Sequence, residues 1–152
     1  MKTFNNLIED CLADITEILP WDLEEKLEES APLLVDIREP YEYELTRIQG
    51  AINAPRGILE TACEYNYDET IPELADARDK EVVLICRSGS RSVLAAYVMQ
   101  QMGYTNVSSL KTGMKGWNDY EQPVVDNNNI TVDVDDADEM LNPPLLPEQI
   151  QS

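Results

Sequence analysis

Cys86 is followed by Arg87-Ser88-Gly89-Ser90-Arg91, so a nucleophile, two guanidinium groups and a glycine turn occupy six consecutive positions. The residues before it, Val82-Val83-Leu84-Ile85, form a continuous apolar run, and Ser92 to Met99 read as a helix. A strand that ends in a short turn and restarts as a helix leaves the first helical amides unpaired, and those amides favour an anion such as a thiolate. A free thiol, with a reference pKa of about 8.5, is mostly protonated at neutral pH, and only the thiolate is a strong nucleophile. Cys86 is therefore the candidate nucleophile.

The chain contains no histidine. Ser-His-Asp triads, Cys-His dyads and His-ligated metal sites are excluded within one chain. Ionisation of Cys86 is left to the loop amides, the helix start and the cations Arg87 and Arg91, which stay charged and bind two anionic oxygens at once. Gly89 gives the turn conformational freedom, while Ser88 and Ser90 add hydroxyl donors. A lone cysteine ending a strand is ordinarily a small buried hydrophobe, but two arginines and an anion-friendly helix start make a poor apolar core.

The elements needed to position this loop are legible around it. Phe4, Leu7, Ile8, Cys11 and Leu12 have helical spacing, Ile15 to Leu19 reads as a short strand, and Trp21 to Glu29 as an exposed helix. Leu33 to Ile37 is a continuous apolar strand of the kind covered on both faces. A short helix over Tyr41–Leu45, a strand within Gly50–Pro55 and a helical or irregular stretch from Ile58 to Arg78 follow. Beyond the strand Val82–Ile85, a helix is expected over Ser88–Met102, ended by Gly103, and a last strand over Val107–Leu110. This alternation predicts an α/β fold, a mostly parallel five-stranded sheet covered by helices on both faces. Ligands of such sheets bind beyond the carboxyl ends of the strands, where Cys86 lies.

At 152 residues and 43% hydrophobic content, the chain fits one globular domain. Its formal charge of -19 argues against nucleic acid as a partner. The acidity is uneven. Residues 1–30 carry nine acids and two lysines, residues 126–152 seven acids and no base, and residues 31–125 fourteen acids against nine bases. We divide the chain into an N-terminal helical extension (1–14), a catalytic body (15–125) and an acidic C-terminal tail (126–152), in which Met140, Leu141, Leu145, Leu146 and Ile150 are apolar enough for part to fold back. Three widely spaced cysteines without a CxxC pattern give neither a zinc site nor a disulfide framework. With no signal-peptide pattern and no apolar stretch of membrane-spanning length, cytoplasmic residence is expected, without membrane contact.

Four separated motifs resemble the rhodanese sulfurtransferases: Leu34-Val35-Asp36-Ile37-Arg38-Glu39-Pro40-Tyr41-Glu42-Tyr43, Ile48-Gln49-Gly50-Ala51-Ile52-Asn53-Ala54-Pro55, the Cys86 loop, and Gly113-Met114-Lys115-Gly116-Trp117. The resemblance covers roughly Ile15 to Val125. It implies a thiosulfate sulfurtransferase: Cys86 takes sulfane sulfur from thiosulfate or a related anionic donor, carries it as a persulfide and passes it to cyanide or a thiol. Backbone amides from Arg87 to Arg91 would cradle the sulfur, and the two arginines would steady the donor's sulfonate. No metal or organic cofactor is implied. The C-x4-R spacing from Cys86 to Arg91 resembles the sulfurtransferases, whereas related phosphatases and arsenate reductases use C-x5-R; position 92 is Ser, so the shorter loop suits one sulfur atom better than phosphate.

Around this centre, Asp36 and Arg38 are expected to pair with nearby loops and shape the site, with Ser92 supporting the loop from behind. Arg47 stands where many family members have histidine. Cys63 is expected to pack or be partly exposed, Cys11 to be core, and Trp117 to pack beneath the site. Two other readings use the same residues: a phosphatase or arsenate reductase built on the anion cradle, and a regulatory sulfur carrier that serves a protein partner through its acidic flanks.

Overall fold

The computed structural model describes residues 1–151; Ser152, the last residue of the expected tail, lies outside them. Five strands, β1 (Thr16–Ile18), β2 (Leu33–Asp36), β3 (Ile52–Asn53), β4 (Glu81–Ile85) and β5 (Asn106–Leu110), form one sheet in the order β1-β5-β4-β2-β3. Every pairing is parallel. The apolar run Val82–Ile85 thus becomes the central strand, paired on both edges and covered on both faces.

Side chains alternate across β4 with the two-residue period of a strand. Val82, Leu84 and Cys86 join one buried cluster with Val35, Ile37 and Val107. Val83 and Ile85 join the opposite one with Leu34 and Leu110. The first layer is closed by α4 (Leu59–Ala62), α5 (Pro72–Ala75) and α6 (Arg91–Gln101), which contribute Leu59, Leu74, Ala95 and Met99. The second is closed by α2 (Pro20–Glu29), α7 (Gly113–Asp119) and α8 (Val134–Leu141), which contribute Leu23, Trp117 and Leu141.

Among the described residues the remaining α-helices are α1 (Phe4–Leu12) and α3 (Pro40–Leu45). Thr3 caps α1 through a reciprocal pair of hydrogen bonds with Asn6. Only Ile8 and Cys11 of its apolar stripe are buried, against Val93 of α6, while Phe4, Leu7 and Leu12 remain exposed.

One element differs from the sequence reading, and the tail, expected to fold back in part, buries residues as far as Leu141. Helix α6 begins at Arg91 rather than Ser88, because residues 87–90 turn around the cysteine sulfur before helical geometry sets in. Residues 126–141 are folded onto the body. Val125 bridges both Arg47 and Thr131, Asp133 caps α8 by accepting from the amides of Asp135 and Asp136, and Ala137 and Leu141 are buried against the second layer. Aspartates at the start of α8 also face the positive end of its dipole, so acidity here favours helix.

Candidate active site

The sheet order places a crevice at Cys86. The chain leaving β2 pairs next as β3 on one side, whereas the chain leaving β4 pairs next as β5 on the other. Their connections diverge above the carboxyl ends of two adjacent strands, the position at which open parallel sheets bind ligands. From the β2 side come Arg38 and α3; from the β4 side comes the cysteine loop.

The sulfur is held among donors. Gly89 N–H points at Cys86 Sγ over 3.1 Å and Ser92 N–H over 3.4 Å. Ser92 Oγ lies 3.2 Å from the sulfur and 2.6 Å from Ser109 Oγ on β5. The amides turn inward because the carbonyls on the other side of the chain are already bonded. Cys86 C=O accepts from Met114 N–H at 2.9 Å, and Arg87 C=O from Lys115 N–H at 3.0 Å. These are the first-turn amides of α7, so two otherwise unpaired helix donors anchor the loop.

Such a close stack requires glycine. Gly89 has φ +92°, and a Cβ there would stand 2.7 Å from the Thr112 nitrogen. Gly113 has φ +58°, and its Cβ would stand 2.8 Å from the Arg87 carbonyl. Left-handed backbone disfavours other residues at both positions.

The expected site residues separate into groups. Cys86, Gly89 and Ser92 converge on the sulfur; Ser92 touches it directly. Ser88 is exposed and Ser90 half-buried at the loop's rim. Arg91, expected to meet the donor anion, instead points its fork at Glu42 of α3, with two contacts of 2.9 Å. Burial pushes the Glu42 carboxyl up, but hydrogen bonding and charge from Arg91, helped by Arg38 and the Glu39 amide, outweigh it and hold the carboxyl below its ordinary value. The hydrogen bond to Glu42 likewise raises Arg91. Arg87 is half-buried, and its Nε lacks a hydrogen-bond partner among the described residues. It is the loop's uncommitted cation.

Asp36 and Arg38 form a fully buried ion pair of 2.8 Å. Arg38 also donates to Thr46 Oγ1 and to the Thr46 carbonyl. This ties the end of β2 to the end of α3 and sets the wall facing the loop. Arg47 does not join the sulfur site. Its guanidinium lies 4.0 Å from the centre of the Tyr43 ring and contacts Asn127, and its backbone pairs with Val125.

Cys63 is fully buried in the first layer, where burial pushes its thiol up. Trp117 is buried in the opposite layer, donating to the Pro123 carbonyl. Among the described residues no cluster of His, Cys, Asp or Glu could hold a metal, and no helix is long and apolar enough to cross a membrane.

Glu42, Thr46 and Ser109 are contacts that sequence reasoning passed over. Glu42 lay inside a quoted motif, but its partner is distant in the chain. Ser109 is a hydroxyl in a buried strand, and that mismatch was the available signal.

The family model described as Rhodanese-like domain matches residues 19–120. A protein named sulfurtransferase from Allochromatium vinosum is 34% identical over 93 residues, 61% of this chain and 78% of that protein. The thiosulfate:glutathione sulfurtransferase of Saccharomyces cerevisiae is 34% identical over 90 residues, 56% of this chain and 63% of its own. Across four relatives the matched segment is between 25% and 78% of their length, below two thirds in all but one. Among solved structures, a Rhodopseudomonas palustris protein of unknown function, described as a possible tyrosine phosphatase, superposes with a TM-score of 0.74 at 28% identity, covering 82% of this chain and 95% of that one. The motifs that flank the sulfur and the sheet that carries them place this chain in the rhodanese-like domain family.

Proposed function

We propose that the protein is a sulfurtransferase that carries sulfane sulfur on Cys86, with thiosulfate or a related anion as donor and cyanide or a thiol as acceptor. The thiolate attacks the outer sulfur of thiosulfate; a Cys86 S–S bond forms as the donor's S–S bond breaks, and sulfite leaves with the electron pair. Attack by cyanide on the outer sulfur of the persulfide then releases thiocyanate and restores the thiolate. Arg87 meets the donor's sulfonate. Gly89 N–H, Ser92 N–H and Ser92 O–H stabilise the negative sulfur.

The observation that carries this reading is the pair of inward amides, with the Ser92 hydroxyl, around Sγ at the start of an eleven-residue helix. The relatives named for sulfur transfer support it. A phosphatase reading has support in the R. palustris structure's description, but the short loop and the commitment of Arg91 to Glu42 weigh against a phosphate cradle.

The test is intact mass after incubation with thiosulfate. One added sulfur, removable by cyanide and absent from Cys86→Ser, is expected; a fully reduced Cys86 that gains none would refute the proposal.

A further inference from the structure

We infer that Met140, Leu141 and Pro143 are specificity-determining residues of this site and select an anionic sulfur donor with an apolar organic body over inorganic thiosulfate. The inference takes its chemistry from the sulfur-transfer reading and its geometry from a cavity of about 210 Å³ beside the cysteine loop. Arg87 lines that cavity. Part of its wall comes from the end of α8 and Pro143, which lie outside residues 19–120, the segment the family model matches.

The charged groups on the α3 side are already committed. Arg38 is held by Asp36 and Thr46, and Glu42 by Arg91. That leaves Arg87 as the cation free to meet an anion. The rest of the lining is Leu45 and Tyr41 from α3, the latter aromatic with one hydroxyl, together with the apolar Met140, Leu141 and Pro143.

A hydrated inorganic dianion leaves this wall unused, or loses water against it without a hydrogen bond in return. An organic thiosulfonate uses both kinds of lining, its sulfonyl oxygens at Arg87 and its hydrocarbon group against Met140 and Pro143. The step balances as before: the Cys86 thiolate takes the sulfane sulfur, the donor's S–S bond breaks, and an organic sulfinate leaves with the electron pair.

Met140 is 44% exposed, so Met140→Gln removes apolar wall at similar length without opening the core. Leu145→Gln, an exposed position outside the cavity, is the control. Calorimetric titration of unreactive benzenesulfonate into the full-length Cys86→Ser protein reads binding, and the rates of Cys86 sulfur loading from benzenethiosulfonate and from thiosulfate read selectivity. Met140→Gln should weaken benzenesulfonate about tenfold and lower the organic-to-inorganic rate ratio similarly, with Leu145→Gln unchanged in both. No saturable binding in the parent, equal binding in Met140→Gln, or the same loss in Leu145→Gln would overturn the assignment. Met140-dependent binding with no sulfur loading from either donor would instead retire the sulfur-transfer reading and leave this wall as a selector of organic anions.

Discussion

Replacing Ser92 by Ala removes one of three donors from the Cys86 sulfur while leaving the Gly89 and Ser92 amides in place. The hydroxyl chain has a defined direction once the sulfur is anionic. A thiolate only accepts, so Ser92 O–H must donate to Sγ and Ser109 O–H to Ser92 Oγ. A hydrogen bond to a charged group contributes about 1.5–3 kcal/mol, which corresponds to about a tenfold to hundredfold change in the balance between thiolate and thiol. The more basic thiolate is also the better nucleophile, and this returns about half the loss on a logarithmic scale. Alkylation of Cys86 by iodoacetamide, followed at neutral pH by peptide mass mapping, should therefore slow about threefold to tenfold in Ser92→Ala. Ser109→Ala should slow it less, because Ser92 keeps its proton for the sulfur. Both Ser92 and Ser109 are fully buried, so folded content is checked first. Unchanged alkylation in Ser92→Ala, or an equal effect from Ser109→Ala, would refute the argument for a directed hydroxyl chain.

Glu42→Gln should destabilise the fold at neutral pH by about 1–2 kcal/mol, a charge-assisted bidentate pair discounted for the solvent reaching Arg91. Because the folded Glu42 carboxyl is held below its ordinary value of about 4.3, its contribution is complete above that value and is lost as pH falls through the folded one. Urea midpoints of the two proteins should therefore converge in acid; a gap that stays constant to about pH 3 would remove the ion pair as its cause. Gly113→Ala should cost about 2–4 kcal/mol, from left-handed backbone and from overpacking against the Arg87 carbonyl. Its urea midpoint should fall well below that of Gly57→Ala, where a Cβ meets open space.

The sequence made the strand-loop-helix unit visible because its evidence is local. Four apolar residues in a row demand burial on both faces, and the parallel sheet provides it. Arg91 shows the limit of local reading. Its charge and its distance along the loop from Cys86 were plain, but the direction of its fork depends on α3, forty-nine residues earlier in the chain. The start of α6 moved for a related reason, since residues 87–90 satisfy the sulfur before they satisfy a helix. Helix α8 was obscured by composition. Asp135, Asp136, Asp138 and Glu139 read as a solvated tail, while the helical cue was the Asp133 cap followed by Ala137 and Leu141 four residues apart.

The absence of histidine is consistent with the chemistry proposed for Cys86. Transfer of a sulfur atom from thiosulfate to a thiolate expels sulfite, a leaving group that departs as a stable anion, so no general acid is required. Return of the sulfur to cyanide likewise regenerates a thiolate beside the Gly89 and Ser92 amides. Phosphate ester hydrolysis asks for more, because an alkoxide leaving group needs a proton and a water must be activated to release the cysteine. The carboxylates at this edge of the sheet, Asp36 and Glu42, are each paired with an arginine. Fixed amides and hydroxyls meet the demands of sulfur transfer without a titrating base, and the shell of amides and hydroxyl around Cys86 fits that reaction better than hydrolysis.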